Sequence, residues 1–123
     1  MSMKRLLIAD SSDIVRKVGR KILSELGYDI SEAADARAAL VSCETSLPNF
    51  MIVDSGLDGA LDLITNVRAM PDGKTVRIFY CVIEADLKTM MLGKRAGASD
   101  FLLKPFDRKT LTAAFSKSEG AAA

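Results

Sequence analysis

Histidine is absent from this sequence of 123 residues, and cysteine occurs only twice. These absences exclude a disulfide framework, a Cys/His zinc site and any catalysis that needs an imidazole of the chain's own. If phosphohistidine chemistry occurs here, the histidine belongs to a partner. An excess of one charge is missing too: 17 basic residues against 16 acidic ones leave a net charge of +1. No global field therefore draws the chain to nucleic acid or to an anionic membrane. Long hydrophobic runs are likewise lacking, since none approaches the roughly 18 residues that span a bilayer, and residues 1–5 show no cleavable leader pattern. The expected location is cytoplasmic, with no membrane and no nucleic acid among the partners. Proline is scarce at 3 residues.

Apolar residues make up 49% of the chain and charged ones 27%, enough to offset the conformational entropy lost on folding. At roughly 100–200 residues per domain the length predicts one domain, over residues 1–117, with a flexible tail over 118–123. Cys43 and Cys81 sit among apolar residues and read as small buried hydrophobes.

Short runs rich in Ile, Val and Phe alternate with segments of helical period, which predicts a parallel sheet with crossover helices. The strands fall at 6–9, 28–33, 50–53, 76–82 and 101–103. Their lack of polar alternation suits strands covered on both faces. Helix one opens after Ser11 and Ser12, either of which can cap it, and ends at Gly27; Ile14, Val18, Ile22 and Leu26 form its expected apolar stripe. Helices two to five are expected near 35–44, 59–70, 85–96 and 107–117, with Gly97 closing the fourth. Right-handed crossovers then favour an α/β fold of the flavodoxin-like (βα)5 type, a doubly wound five-stranded parallel sheet of order 2-1-3-4-5.

In such a sheet the ligand site lies at the carboxyl ends of the strands. Asp10 follows strand one, Asp54 ends strand three, Val82 and Ile83 end strand four, and Lys104 and Pro105 follow strand five. A carboxylate after a strand often does no more than cap the next helix, and a lysine near a surface is usually solvated. Together the three ionic groups carry more information. Two neighbouring carboxylates repel, and an ammonium or bound cation lets both stay ionised. The cluster suits a hard metal and a phosphoryl group.

The segments Leu7-Ile8-Ala9-Asp10-Ser11-Ser12, Gly27-Tyr28, Glu32-Ala33-Ala34-Asp35, Val53-Asp54, Ala96-Gly97-Ala98-Ser99-Asp100-Phe101 and Lys104-Pro105-Phe106 resemble, in order and spacing, the response-regulator receiver family of two-component systems. The resemblance covers residues 4–117. It implies that Asp54 accepts a phosphoryl group from a histidine kinase or histidine phosphotransfer protein, its carboxylate acting as nucleophile. It also implies a Mg²⁺ ion held by Asp10, Asp54 and the backbone carbonyl of Gly56. Lys104 matches the lysine that pairs with the phosphoryl oxygens, Pro105 a position often preceded by a cis bond, and Phe101 the aromatic switch residue. The donor would approach along helix one. A downstream protein would be contacted through the face of helix four, strand five and helix five, where Leu87, Met90, Met91, Lys94 and Arg95 lie on helix four.

Three departures stand against the family pattern. Ser11 replaces a second acid, which removes a charged ligand and predicts weaker Mg²⁺ binding; Asp13, about a turn away, would reach the ion only through water. Val82 replaces a Ser or Thr at the end of strand four. It has the shape and lacks the donor, so phosphorylation is expected to perturb helix four and Phe101 only slightly. The segment from Asp54 to Gly59 is shorter than the family's usual loop and lacks its Met-Pro. Two functions are therefore carried forward: a single-domain phosphoacceptor in a phosphorelay, and a binding module of receiver fold whose output is independent of phosphorylation, including a second-messenger nucleotide binder using Arg16, Arg20 and Arg37. Enzyme readings fail on particulars. A haloacid-dehalogenase-like phosphatase wants an acid where Ser12 stands, and a nucleotide or flavin fold wants a glycine-rich loop that the segment Asp10 to Ile14 lacks.

Overall fold

The computed structural model describes residues 3–122, and of residues 117–122 only the helical course. Five strands alternate with five helices: β1 (Arg5–Ala9), α1 (Asp13–Glu25), β2 (Asp29–Ala33), α2 (Ala36–Thr45), β3 (Phe50–Asp54), α3 (Ala60–Ala69), β4 (Arg77–Val82), α4 (Leu87–Ala96), β5 (Asp100–Leu103) and α5 (Arg108–Ala122). A short 3₁₀ turn at Gly73–Thr75, which no sequence signal marked, precedes β4. All strand pairs are parallel, in the order β2-β1-β3-β4-β5. This is the flavodoxin-like order expected from the alternation of runs.

The pleat divides the core. Leu7, Met51, Val53, Ile78, Tyr80 and Val82 point to the side packed by α2 and α3. Leu6, Ile8, Phe50, Ile52, Phe79 and Cys81 point to the side packed by α1 and α5, where Tyr28, Phe50, Phe79 and Phe115 interlock with centroids 4.7–5.6 Å apart. Aspartate and serine side chains start the helices as the caps predict. Ser12 Oγ accepts from Val15 N at 3.2 Å, Asp35 from Ala38 N at 2.7 Å and Asp86 from Thr89 N at 2.8 Å. Gly97, at φ 122°, closes α4 as expected.

Helix α1 is rotated from the expected stripe. Ile22 is buried, but Ile14 is 75% exposed, and Val18 and Leu26 also face outward; the covered face is Val15, Gly19, Ile22 and Leu23. The reason is Gly19, which gives the helix its closest approach to the sheet. A Cβ there would lie 2.9 Å from Ile8 Cδ1 and 3.6 Å from the Phe106 ring. On helix α4 Met90 is half-buried and Met91 exposed. Helix α5 runs past Lys117 to Ala122, through the stretch read as a tail, because no proline interrupts it and alanine is the strongest helix former; Ala123 lies outside the described residues.

Arg68 ties the far end of α4 to α3. Its guanidinium donates to Gly97 O at 2.8 Å, Gly73 O at 2.7 Å, Val76 O at 2.6 Å and Ser99 Oγ at 2.9 Å. At mid-helix, Gly93 lies flat on the Tyr80 ring, where a Cβ would stand 2.4 Å from a ring carbon. Overpacking of that kind costs about 1–3 kcal/mol, against a gain of about 1 kcal/mol in helix propensity for Gly to Ala. Urea denaturation of Gly93→Ala is therefore expected to show a net loss of stability. Gly19→Ala, opposed only by a terminal methyl that can turn away, should lose less. A stabilised Gly93→Ala would show that α4 does not rest on Tyr80.

Candidate functional site

The register of the central strands assembles the site. Ala9 pairs with Val53 across β1 and β3, so the next residues, Asp10 and Asp54, emerge side by side. Val82 pairs with Leu103 across β4 and β5, and Lys104 N donates to Val82 O at 2.8 Å, which delivers the Lys104 side chain to the same end. The following bond, Lys104-Pro105, is cis. Lys104 Nζ lies 2.7 Å from Asp10 Oδ2 and 3.0 Å from Asp54 Oδ1. The three groups singled out by sequence are one ionic cluster.

Asp10 is 3% exposed, and its other oxygen accepts from Ser12 N at 2.9 Å. Burial works against the Lys104 ammonium, but hydrogen bonds to Asp10 and then Asp54 outweigh it and raise its pKa above the ordinary 10.5. Cys81, beside Asp54 in the sheet, is fully buried, and burial pushes its thiol up to about 12. It is no nucleophile at neutral pH.

The shortened segment after β3 closes as two successive turns, Leu57 N on Asp54 O and Ala60 N on Leu57 O, both at 3.0 Å. Leu57 is buried beneath them. Gly56 lies against the phosphoacceptor candidate: a Cβ there would be 3.4 Å from Asp54 Oδ2. A cavity of about 390 Å³ opens from Asp54, Gly56 and Lys104 past Val82 to Thr89 on α4. On the α1 side of Lys104 a second cavity, about 410 Å³, is lined by Ile14, Val15, Val18, Ile83, Pro105 and Phe106.

The family model of the response regulator receiver domain matches residues 6–116. The chain belongs to that family. It is 30% identical over 88% of its length to the transcriptional regulatory protein CseB of Streptomyces coelicolor, spanning 46% of that regulator. It is also 27% identical over 87% of its length to the chemotaxis protein CheY-3 of Vibrio cholerae, of which it spans 85%. The solved structure of CheY4 of Vibrio cholerae superposes with a TM-score of 0.89 at 26% identity, over 94% of this chain and 98% of that one. The protein is thus a CheY-like signalling module of two-component systems.

Seen as a receiver site, the cluster departs where the sequence does. Ser11 is exposed and brings no carboxylate. Asp13 is ion-paired to Arg16 and its side chain is 79% exposed. No group of three or more His, Cys, Asp or Glu that would hold a metal occurs among the described residues. Two carboxylates with a backbone carbonyl nevertheless fit Mg²⁺, which commonly takes one or two carboxylates and completes its shell with water and phosphate oxygens. Val82 is buried in the cavity wall, and Phe101, half-buried, packs on the α3 side of the sheet.

Three features escaped the sequence reading. Arg16 donates to Asp10 O at 2.6 Å and to Glu32 Oε1 at 3.1 Å. Arg20 joins it on Glu32, whose carboxyl is held below its ordinary range chiefly by the Arg20 hydrogen bond. Thr89 enters the cavity from α4; only the spacing Asp86-x-x-Thr89, a helix-start pattern, hinted at where that turn begins. The apolar exposure of Ile14 and Val18 followed from the rotation of α1.

Lys104 lends itself to a linkage test. A raised folded pKa means that its contribution to stability is complete below the ordinary lysine pKa and is lost as pH rises through the folded value. Removing one partner of a buried pair costs about 3–5 kcal/mol, and with the Lys104 side chain 17% exposed about 1–3 kcal/mol is expected here. The stability gap between wild type and Lys104→Gln, from chemical denaturation, should stay constant near neutrality and shrink above about pH 10.4. A gap that ignores alkaline pH would show that the ammonium does not hold the cluster together.

Proposed function

We propose that this receiver takes a phosphoryl group on Asp54 from a partner's phosphohistidine and signals through protein contacts. The supporting observation is the Lys104 ammonium within bonding distance of both Asp10 and Asp54. Such an arrangement sets a cation beside the attacking carboxylate and supplies it to the incoming phosphoryl oxygens. The Asp54 carboxylate oxygen bonds to phosphorus as the P–N bond breaks, and the imidazole leaves carrying the bonding pair and takes up a proton. The product is an aspartyl phosphate, with Lys104 shifting from carboxylates to phosphoryl oxygens.

Asp10, Asp54 and the Gly56 carbonyl would hold Mg²⁺, which offsets charge on the phosphoryl group when bound. The apolar cavity beside Lys104 fits the phosphodonor. A donor histidine that reaches Asp54 must bring its protein body over this rim, and Ile14, Val18 and Ile83 are exposed there. Output would use the α4-β5-α5 face, where Leu87, Met91 and Leu103 are exposed. A histidine kinase or phosphotransfer protein and a downstream protein are thus the partners.

The phosphorylation-independent reading draws on Val82, buried without a hydroxyl. Its nucleotide-binding form is less well supported, since Arg16 and Arg20 are already engaged by Glu32.

Intact mass after treatment with acetyl phosphate and Mg²⁺ should show one added phosphoryl group, absent in Asp54→Asn. Labelling that persists in Asp54→Asn refutes the assignment. Ser11→Asp restores a charged ligand and should bind Mg²⁺ about tenfold more tightly at fixed ionic strength; equal dissociation constants would remove Ser11 from the metal site.

A further inference from the structure

The cavity at Asp54 poses a chemical problem that Val82 does not solve. A phosphoryl group brings about −1.5 to −2 charge and three acceptor oxygens, yet the wall contributed by β4 is a buried valine. Two of the residues that line the cavity carry a hydroxyl, Ser55 and Thr89. Ser55 follows Asp54 directly, with its N–H fixed on Cys81 O at 2.8 Å, and moves only with the strand end. Thr89 belongs to α4 and is half-buried.

We propose that Thr89 is the phosphoryl-binding hydroxyl of this receiver, so that phosphorylation acts on α4 directly rather than through the end of β4. The proposal rests on the reading of Asp54 as phosphoacceptor. In this structure Asp86 Oδ1 accepts from the Thr89 amide at 2.8 Å, which starts α4 at the edge of the cavity. The same cavity is lined by Glu84 and Asp86. An added phosphoryl group repels the Glu84 carboxylate toward the solvent to which it is already exposed. The group also presents the Thr89 hydroxyl with a highly charged acceptor. Threonine in a helix readily occupies two χ1 wells, so one side-chain rotation brings the hydroxyl to that acceptor. The amide of Thr89 keeps its bond to Asp86 at 2.8 Å, and the helix start survives.

The rest of α4 is built to move as a unit. Its middle touches the sheet through Gly93 on the flat face of Tyr80, a contact without side-chain interlocking, while Arg68 anchors the turn after Ala96. A pull at Thr89 therefore tilts the helix about its far end and carries Leu87, Met90 and Met91 with it.

The test is a set of backbone amide NMR spectra with and without beryllofluoride and Mg²⁺, for wild type, Thr89→Val, Thr89→Ser and Ser55→Ala, alongside intact-mass labelling by acetyl phosphate. Wild type should label and show large beryllofluoride shifts over residues 86–92. In Thr89→Val those shifts should collapse toward the free positions; Thr89→Ser should restore them, and Ser55→Ala should leave both labelling and shifts intact. Unchanged shifts in Thr89→Val, or their loss in Ser55→Ala instead, overturn the Thr89 assignment while leaving the phosphoacceptor in place. A wild type that neither labels nor responds to beryllofluoride at Asp54 overturns both.

Discussion

Two carboxylates set side by side by adjacent parallel strands repel in a closed site, and the Lys104 ammonium, 2.7 Å from one and 3.0 Å from the other, is what reconciles them. Much of the fold serves to put that ammonium there. Asp10 and Asp54 are neighbours because β1 and β3 are, and β5 lies at the sheet edge beyond β4, so Lys104 must reach across two strand positions. The hydrogen bond from its own amide to Val82 O starts it at the right height. Remove the lysine and Asp10, almost wholly buried, loses the partner that made its burial tolerable.

The interaction also explains how legible the site was. Strand ends in a doubly wound sheet converge by topology, so the positions of Asp10, Asp54 and Lys104 followed from the run pattern alone. Side-chain period within a strand is set by the pleat, and the buried runs agreed with it. Helix faces were less secure. On α1 two apolar sets compete, Ile14-Val18-Ile22-Leu26 and Val15-Gly19-Ile22-Leu23, and hydrophobicity prefers the first. Packing distance chose the second, because a glycine at the contact lets the helix approach Ile8 and Phe106. A residue with no side chain carries no weight in a hydrophobic pattern, yet here it decided the orientation.

The consequence of that rotation is chemical as well as geometric. Ile14 and Val18, turned outward, continue with Ile83, Pro105 and Phe106 into an apolar rim that ends at Lys104. Arg16, which the first stripe would leave on the surface, is instead drawn in to Asp10 O and Glu32. It thereby fixes the β1-α1 connection from which Asp10 projects, and it takes Asp13 with it. The basic residues of α1 are thus partly structural, which lowers the positive charge left for an anionic ligand.

The missing hydroxyl at Val82 and the acidic lip of the cavity bear on each other. In a site with one ammonium shared between two acids, Glu84 and Asp86 add negative charge where a phosphoryl group must fit. Exposed carboxylates are screened and mobile, so they cost little when the group arrives. Glu84 has only to move away from Asp54, whereas Asp86 stays on the Thr89 amide at 2.8 Å. A valine in the wall keeps β4 indifferent to this change, because a buried apolar group gains nothing from a nearby anion. On the proposed phosphorylation of Asp54, the electrostatic work would fall on the first turns of α4, a cavity-lining element that carries both a hydroxyl and an exposed apolar face.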